Sequence, residues 1–295
     1  MRRFHFKHFS LCHDASTMKV GTDAVLLGAW ASLRPGAEVL DIGCGCGVLS
    51  LMMAQKGAGR VDAVDLDEAS AREAASNFEA SQWRDRLYAF CGDIRRFGYG
   101  RRYDLILTNP PFYAGLPENE TARRNQTRHA EATLSFNELA AVAKHLLKPD
   151  GRFVLVLPER QSPAFLSIAR QYKLVLKRQQ LIIPIEGRNP NRVNLELSLA
   201  PNSFPIGTSP SEGTINPSSI KDAASSEGTI NLSSVKETVP LKGNSPTNVS
   251  MEGKGTAYTP LGENDLVETT ELVLRDGEGR FTTAYNEAVK DFYLG

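Results

Sequence analysis

The chain has 295 residues, 41% hydrophobic and 23% charged, with 34 Lys+Arg against 34 Asp+Glu. That mix supports a packed core, while a net charge of zero excludes a strongly basic whole-chain footprint and leaves only local basic patches for any polyanion. No run approaches the ~20 apolar residues of a membrane span. The N-terminus lacks the apolar run of a secretory signal, and four cysteines make no disulfide framework, so the expected setting is a reducing cytoplasm.

In chain order, apolar β-branched runs at 37–42, 60–65, 86–91, 103–108, 152–157, 174–183 and 192–199 read as strands. Helical spacing fills 47–56, 67–80, 135–147 and 159–172. In 135–147, Phe136, Leu139, Val142 and Leu146 share a face, Ser135 and Glu138 have the form of a capping box, and Pro149 with Gly151 closes the segment. Strand–helix alternation predicts an α/β fold: a doubly wound, mostly parallel, seven-stranded sheet with helices on both faces. From 201 to 265 the composition changes. Seven of the 16 prolines fall there, Phe204 and Tyr258 are its only aromatics, and Ser-Glu-Gly-Thr-Ile-Asn occurs at 211–216 and again at 226–231. So little apolar surface predicts a disordered insertion. A strand at 271–274 and a helix over 282–292 then complete the same domain. The expected division is an N-terminal cap (1–34), a core (35–200), the insertion (201–267) and a closing segment (268–295).

The first strand runs into Asp41-Ile42-Gly43-Cys44-Gly45-Cys46-Gly47. Glycines here let the backbone turn tightly and approach a ligand. A dinucleotide fingerprint needs Gly-x-Gly-x-x-Gly/Ala, but Val48 or Ser50 stands where the third glycine belongs. The loop therefore suits a ligand without phosphates. Asp41 can receive an ammonium directly or through water, Asp65 the ribose hydroxyls about twenty residues on, and Asp93 an adenine amino group. S-adenosylmethionine carries all three kinds of donor. Cys44 and Cys46 read as small fillers; no second pair completes a zinc site, and no metal is expected.

The strand at 103–108 ends in Asn109-Pro110-Pro111-Phe112-Tyr113. Two prolines stiffen the loop and leave carbonyls free to accept. The Asn109 amide oxygen and the Pro110 carbonyl can converge on one NH₂ group, whose lone pair is otherwise delocalised into a base. Accepting both its protons favours a pyramidal nitrogen able to attack a sulfonium methyl, with Phe112 stacked on the ring.

In this order, these motifs resemble the Rossmann-type amino methyltransferases, and Asn109-Pro110-Pro111-Phe112 matches their N6-adenine signature. That signature is shared by enzymes acting on DNA adenine, on RNA adenine or guanine, and on release-factor glutamine, so it leaves the substrate open. Phe6-Lys7-His8-Phe9, Met18 to Asp23 and Leu26 to Trp30 are similar to the bacterial tRNA adenine-N6 methyltransferases that act on position 37 of a valine tRNA. The resemblance covers 4–200 and resumes at about 268–294. It implies that Lys19, Gly21, Thr22 and Asp23 lie over the cofactor's amino-acid end, and that Asp41, Gly43, Gly45, Asp65, Asp93 and Asn109 complete its shell.

For tRNA, Arg123, Arg124, Arg128 and His129 follow the Asn-Pro-Pro-Phe loop on a polar stretch that reads as a flap; with Tyr113 they are the expected substrate contacts. Arg2, Arg3, Lys7 and His8 make a second basic cluster, and Arg95, Arg96, Arg101 and Arg102 a third. His5, His13 and His145 lack ligand spacing. A monomer is expected. The competing readings are a methylase of another amine and a non-catalytic RNA-binding module.

Overall fold

The computed structural model describes residues 3–16, 19–97, 100–110, 134–201, 257–260 and 266–293. Its centre is a nine-stranded sheet. In chain order the strands are β3 (Glu38–Ile42), β4 (Arg60–Asp65), β5 (Leu87–Cys91), β6 (Tyr103–Thr108), β7 (Leu147–Pro158), β8 (Leu174–Ile183), β9 (Arg192–Leu199), β10 (Ala257–Pro260) and β11 (Leu266–Val273). Their order across the sheet is β10-β11-β8-β9-β7-β6-β3-β4-β5. The seven strands expected from the sequence form one unbroken run, β8 to β5. Only β9 within it opposes its neighbours.

Two strands extend this run past β8. The closing segment pairs in parallel with β8 and is longer than expected, and β10 lies antiparallel on its outer side. Strand β10 falls inside the segment expected to be without structure. Strand β7 also begins earlier than the expected 152, directly after its preceding helix. Its register against β6 shifts between Tyr103 and Leu105, which accommodates Pro149 and Gly151.

Helices cover both faces. On one lie α1 (Thr22–Trp30), α2 (Val48–Gln55), α3 (Glu68–Glu79) and the C-terminal α6 (Thr283–Val289); on the other lie α4 (Phe136–Leu146) and α5 (Ser162–Gln171). Alternate sheet residues supply the two cores. Val39, Leu105, Leu107, Val154 and Val156 face α1 and α2, while Leu40, Ile42, Ile106, Phe153 and Leu155 face α4 and α5. The expected capping box starts α4: Ser135 Oγ accepts from the Glu138 N–H, and the Glu138 carboxylate accepts from the Ser135 N–H. The N-terminal cap contains α1 and a hairpin, β1 (Arg3–His5) with β2 (Ser10–Cys12). The hairpin docks on the other end of the chain, with Phe6 stacked on Tyr293 at 5.5 Å and the Lys7 N–H donating to the Phe292 carbonyl. No helix among the described residues is long and apolar enough to cross a membrane.

Candidate active site

From β3 the chain moves outward to β4 and β5, then returns to place β6 on β3's other side. Strand order therefore switches between β3 and β6, and a ligand crevice opens beyond their carboxyl ends. Both chemistry-bearing motifs leave the sheet there. Ile42 pairs with Thr108, and the Thr108 hydroxyl donates to the Ile42 carbonyl at 2.8 Å, so Gly43 and Asn109 emerge side by side. The turn needs left-handed backbone: Gly43, Gly45 and Gly47 have φ of 68°, 54° and 83°. At Gly47 a Cβ would also stand 2.4 Å from the Phe78 ring, whereas at Gly43 it would meet nothing within 4 Å. The loop is thus packed at its far end and open over the crevice.

The aspartates are more occupied than the sequence suggested. Asp41 is fully buried on the α2 side. It accepts the Ser50 hydroxyl at 2.6 Å, its Oδ1 has no hydrogen-bond partner, and burial pushes its carboxyl up to about 7. Its unpartnered Oδ1 lies beneath the loop, enclosed with the rest of the side chain. Asp65 accepts the Gly45 N–H at 2.8 Å and the Asp67 N–H at 2.9 Å, and burial raises its pKa. It therefore shapes the glycine loop, and a carboxylate retains lone pairs for further donors. Asp93 caps the short 3₁₀ turn Ile94–Arg96 and forms a bidentate pair with Arg95, which holds its carboxyl below the usual range. Leu66, 46% exposed between Asp65 and Asp67, is an apolar surface at this mouth that hydrophobic patterning assigned to no role.

Of the strap at 19–23, Lys19, Gly21 and Thr22 are exposed, and the α1 N-terminus has no side-chain cap. Asp23 pairs with Arg192 of β9 at 2.9 Å, so its carboxylate ties α1 to the sheet and remains 30% exposed. Arg192, 169 residues away, gave no sequence signal.

Asn109 Oδ1 is buried and accepts no hydrogen bond, and Pro110 follows it. Such an acceptor costs free energy unless a donor arrives. Pro111, Phe112, Tyr113, Arg123, Arg124, Arg128 and His129 lie outside the described residues. Three arginines of the third basic cluster have partners within the chain. Arg95 is held by Asp93 and Glu138, while Arg101, paired with Glu38, and Arg102, donating to the Leu147 carbonyl, precede β6 at the opposite edge of the sheet. Cys44 and Cys46 are buried, and burial raises both thiols, Cys46 to about 12.

The site residues suit S-adenosylmethionine in kind: an open glycine turn, carboxylates at three successive strand ends, and an unpaired amide oxygen beside them. The sequence matches the methyltransferase small domain family over residues 16–180. A protein of Phocaeicola vulgatus named tRNA1(Val) (adenine(37)-N6)-methyltransferase is 41% identical over 192 residues, covering 65% of this chain and 82% of its own. One of the same name from Dickeya chrysanthemi is 45% identical over 174 residues, covering 57% and 68%. Among solved structures, the T. thermophilus 16S rRNA N2 G1207 methyltransferase is 23% identical, covering 67% of this chain and 50% of its own with a TM-score of 0.47. The chain belongs to the methyltransferase small domain family and, within it, to the tRNA1(Val) (adenine(37)-N6)-methyltransferases.

Proposed function

We propose that this protein methylates N6 of adenine 37 in the anticodon loop of a valine tRNA. The observation that carries the reading is the unpartnered Asn109 Oδ1, buried beside the Gly43 turn at the point where strand order reverses. S-adenosylmethionine, when bound, supplies an electrophilic methyl group. Gly43 and Gly45 give it room, Asp65 and Asp93 offer acceptors toward its nucleoside, and Lys19, Gly21 and Thr22 face its amino acid.

The chain's own part is to prepare the amine. Asn109 Oδ1 and the Pro110 carbonyl accept its two N–H groups, which turns the nitrogen lone pair away from the ring. The Thr108 bond to Ile42 fixes this acceptor pair against the glycine turn, so distance and direction are set before the base arrives. No strong base is needed, because nitrogen becomes acidic only after it has bonded to carbon. Pro111 stiffens the loop and Phe112 stacks on an unstacked adenine. Tyr113, Arg123, Arg124, Arg128 and His129 are the proposed contacts to the anticodon loop, whose phosphates need local cations on a chain of zero net charge. The protein acts as a monomer in the cytoplasm, where its substrate is made.

Bulk tRNA from a bacterial strain lacking the gene, incubated with the protein and methyl-labelled cofactor, tests the reading. Nucleoside mass spectrometry should find the label as N6-methyladenosine at position 37 of valine tRNA. Label in DNA or protein alone, or at another tRNA position, refutes it.

A further inference from the structure

One face of α3 holds both the glycine loop and the backbone of residues 12–16 that precedes the strap. Glu73 and Asn77 stand one helical turn apart on it and are 6% and 4% exposed. Glu73 Oε1 accepts the N–H groups of Asp14 at 2.8 Å and Ala15 at 3.0 Å, and its Oε2 accepts that of Ser16 at 2.8 Å. Asn77 Oδ1 accepts the Cys12 N–H at 2.8 Å, while its Nδ2 donates to the Cys12 carbonyl at 2.8 Å and to the Cys46 carbonyl at 2.9 Å. Farther along, the Val20 N–H donates to His13 Nδ1 at 3.1 Å. Asn77 thus ties the glycine loop to Cys12, Glu73 anchors residues 14–16 from the same helix face, and His13 between them holds Val20 of the strap.

Those residues reach the crevice on the Asp41 side. Helix α1 packs against α2, whose Ser50 holds Asp41, whereas Asp65 and Asp93 end the strands farther out. Exposed Lys19 and the uncapped α1 N-terminus offer positive charge to a carboxylate. The strap therefore meets an amino-acid group, and the outer strands meet a nucleoside. We propose that Glu73 and Asn77 are positioning residues that set the strap against the glycine loop and so determine affinity for the amino-acid half of the cofactor. This rests on the cofactor site proposed above.

Full-length Glu73→Gln tests it. The amide keeps the side chain's length but turns an NH₂ toward backbone N–H groups that now bond a carboxylate. Binding of S-adenosylhomocysteine and of 5′-methylthioadenosine, which lacks the amino acid, is measured by calorimetry. The expected result is a Kd for S-adenosylhomocysteine about tenfold weaker, the scale of one lost charge-assisted hydrogen bond. Binding of 5′-methylthioadenosine should change less than about twofold, and KM for the cofactor should rise with kcat nearly unchanged. Asn77→Ala should give the same split, and serves where Glu73→Gln fails to fold. Equal weakening of both ligands, or none for S-adenosylhomocysteine, overturns the proposal while leaving the site reading intact. If the wild-type protein binds neither ligand, the site reading falls and this proposal falls with it.

Discussion

Asn109 and Asp41 are both buried acceptors with an unused oxygen, yet their surroundings make them differ in kind. Asn109 is neutral and follows the last residue of β6, and in the proposed reaction a substrate amine supplies the donor its oxygen lacks. Asn109→Ala should therefore lower kcat by at least about 100-fold, the scale on which single preorganised hydrogen-bonding groups act in catalysis. Cofactor affinity, measured by calorimetry, should stay within about twofold; unchanged turnover would remove the amine from this loop. Asp41 is ionisable and fully enclosed, and its pKa rises from 3.8 to about 7 because desolvation outweighs the Ser50 hydrogen bonds. A carboxyl raised on folding favours the state in which it is protonated. Its contribution to stability is full below about pH 4 and disappears as pH climbs through 7. The melting temperature of the wild type should fall across that window relative to Asp41→Asn, which does not titrate there. The relative loss amounts to a few kcal/mol at about 1.4 kcal/mol per pKa unit. A difference between the two proteins that stays flat from pH 4 to 8 would show that Asp41 ionises as it does in an unfolded chain.

Elements were legible wherever their signals are local. The capping box at Ser135 and Glu138 needs only a three-residue spacing, and it forms. Ser135→Ala should cost about 1 kcal/mol and lower the melting temperature by roughly 2–4 °C in a differential scan. Because Glu138 also holds Arg95, which holds Asp93, part of the loss should appear as weaker cofactor binding. A stability loss with no change in affinity would separate the cap from the site. The seven central strands were legible for the same local reason, being β-branched apolar runs bounded by turns. Strand β10 was not, since Ala257 to Pro260 is four residues in a proline-rich setting and becomes a strand only by pairing with β11. The anchorage of the backbone leading to the strap was equally hidden. Glu73 reads as one more charge on a helix until the backbone of residues 14–16, 57 to 59 positions earlier, folds onto it. The three strand-end aspartates were found by position, but their partners Gly45, Ser50 and Arg95 were not, because a side chain's hydrogen bonds depend on packing that spacing does not encode.

At the scale of the whole molecule, the direction of the strands decides where an insertion does no harm. Strand β9 ends at Leu199, paired with Leu174 at the start of β8, and β11 begins at Leu266 beside the same half of β8. The chain therefore departs and returns at the sheet edge opposite the carboxyl ends of β3 and β6. Between the two points lies only β8, so they stand about 10 Å apart, two strand spacings. Four residues span that distance, at up to about 3.3–3.6 Å each. Replacing residues 202–263 with a four-residue Gly/Ser link should leave kcat/KM on an anticodon stem-loop within about twofold, since none of the described site residues lies on that edge. The loss of β10, a short edge strand, should lower the melting temperature by only a few degrees. Val267 and Leu272 of the retained β11 lie buried, one in each core. A collapse of the fold would show that the closing segment needs the insertion in order to dock. A selective loss of activity on full-length tRNA, with the stem-loop still methylated, would place part of the tRNA body against the edge where the insertion leaves the sheet.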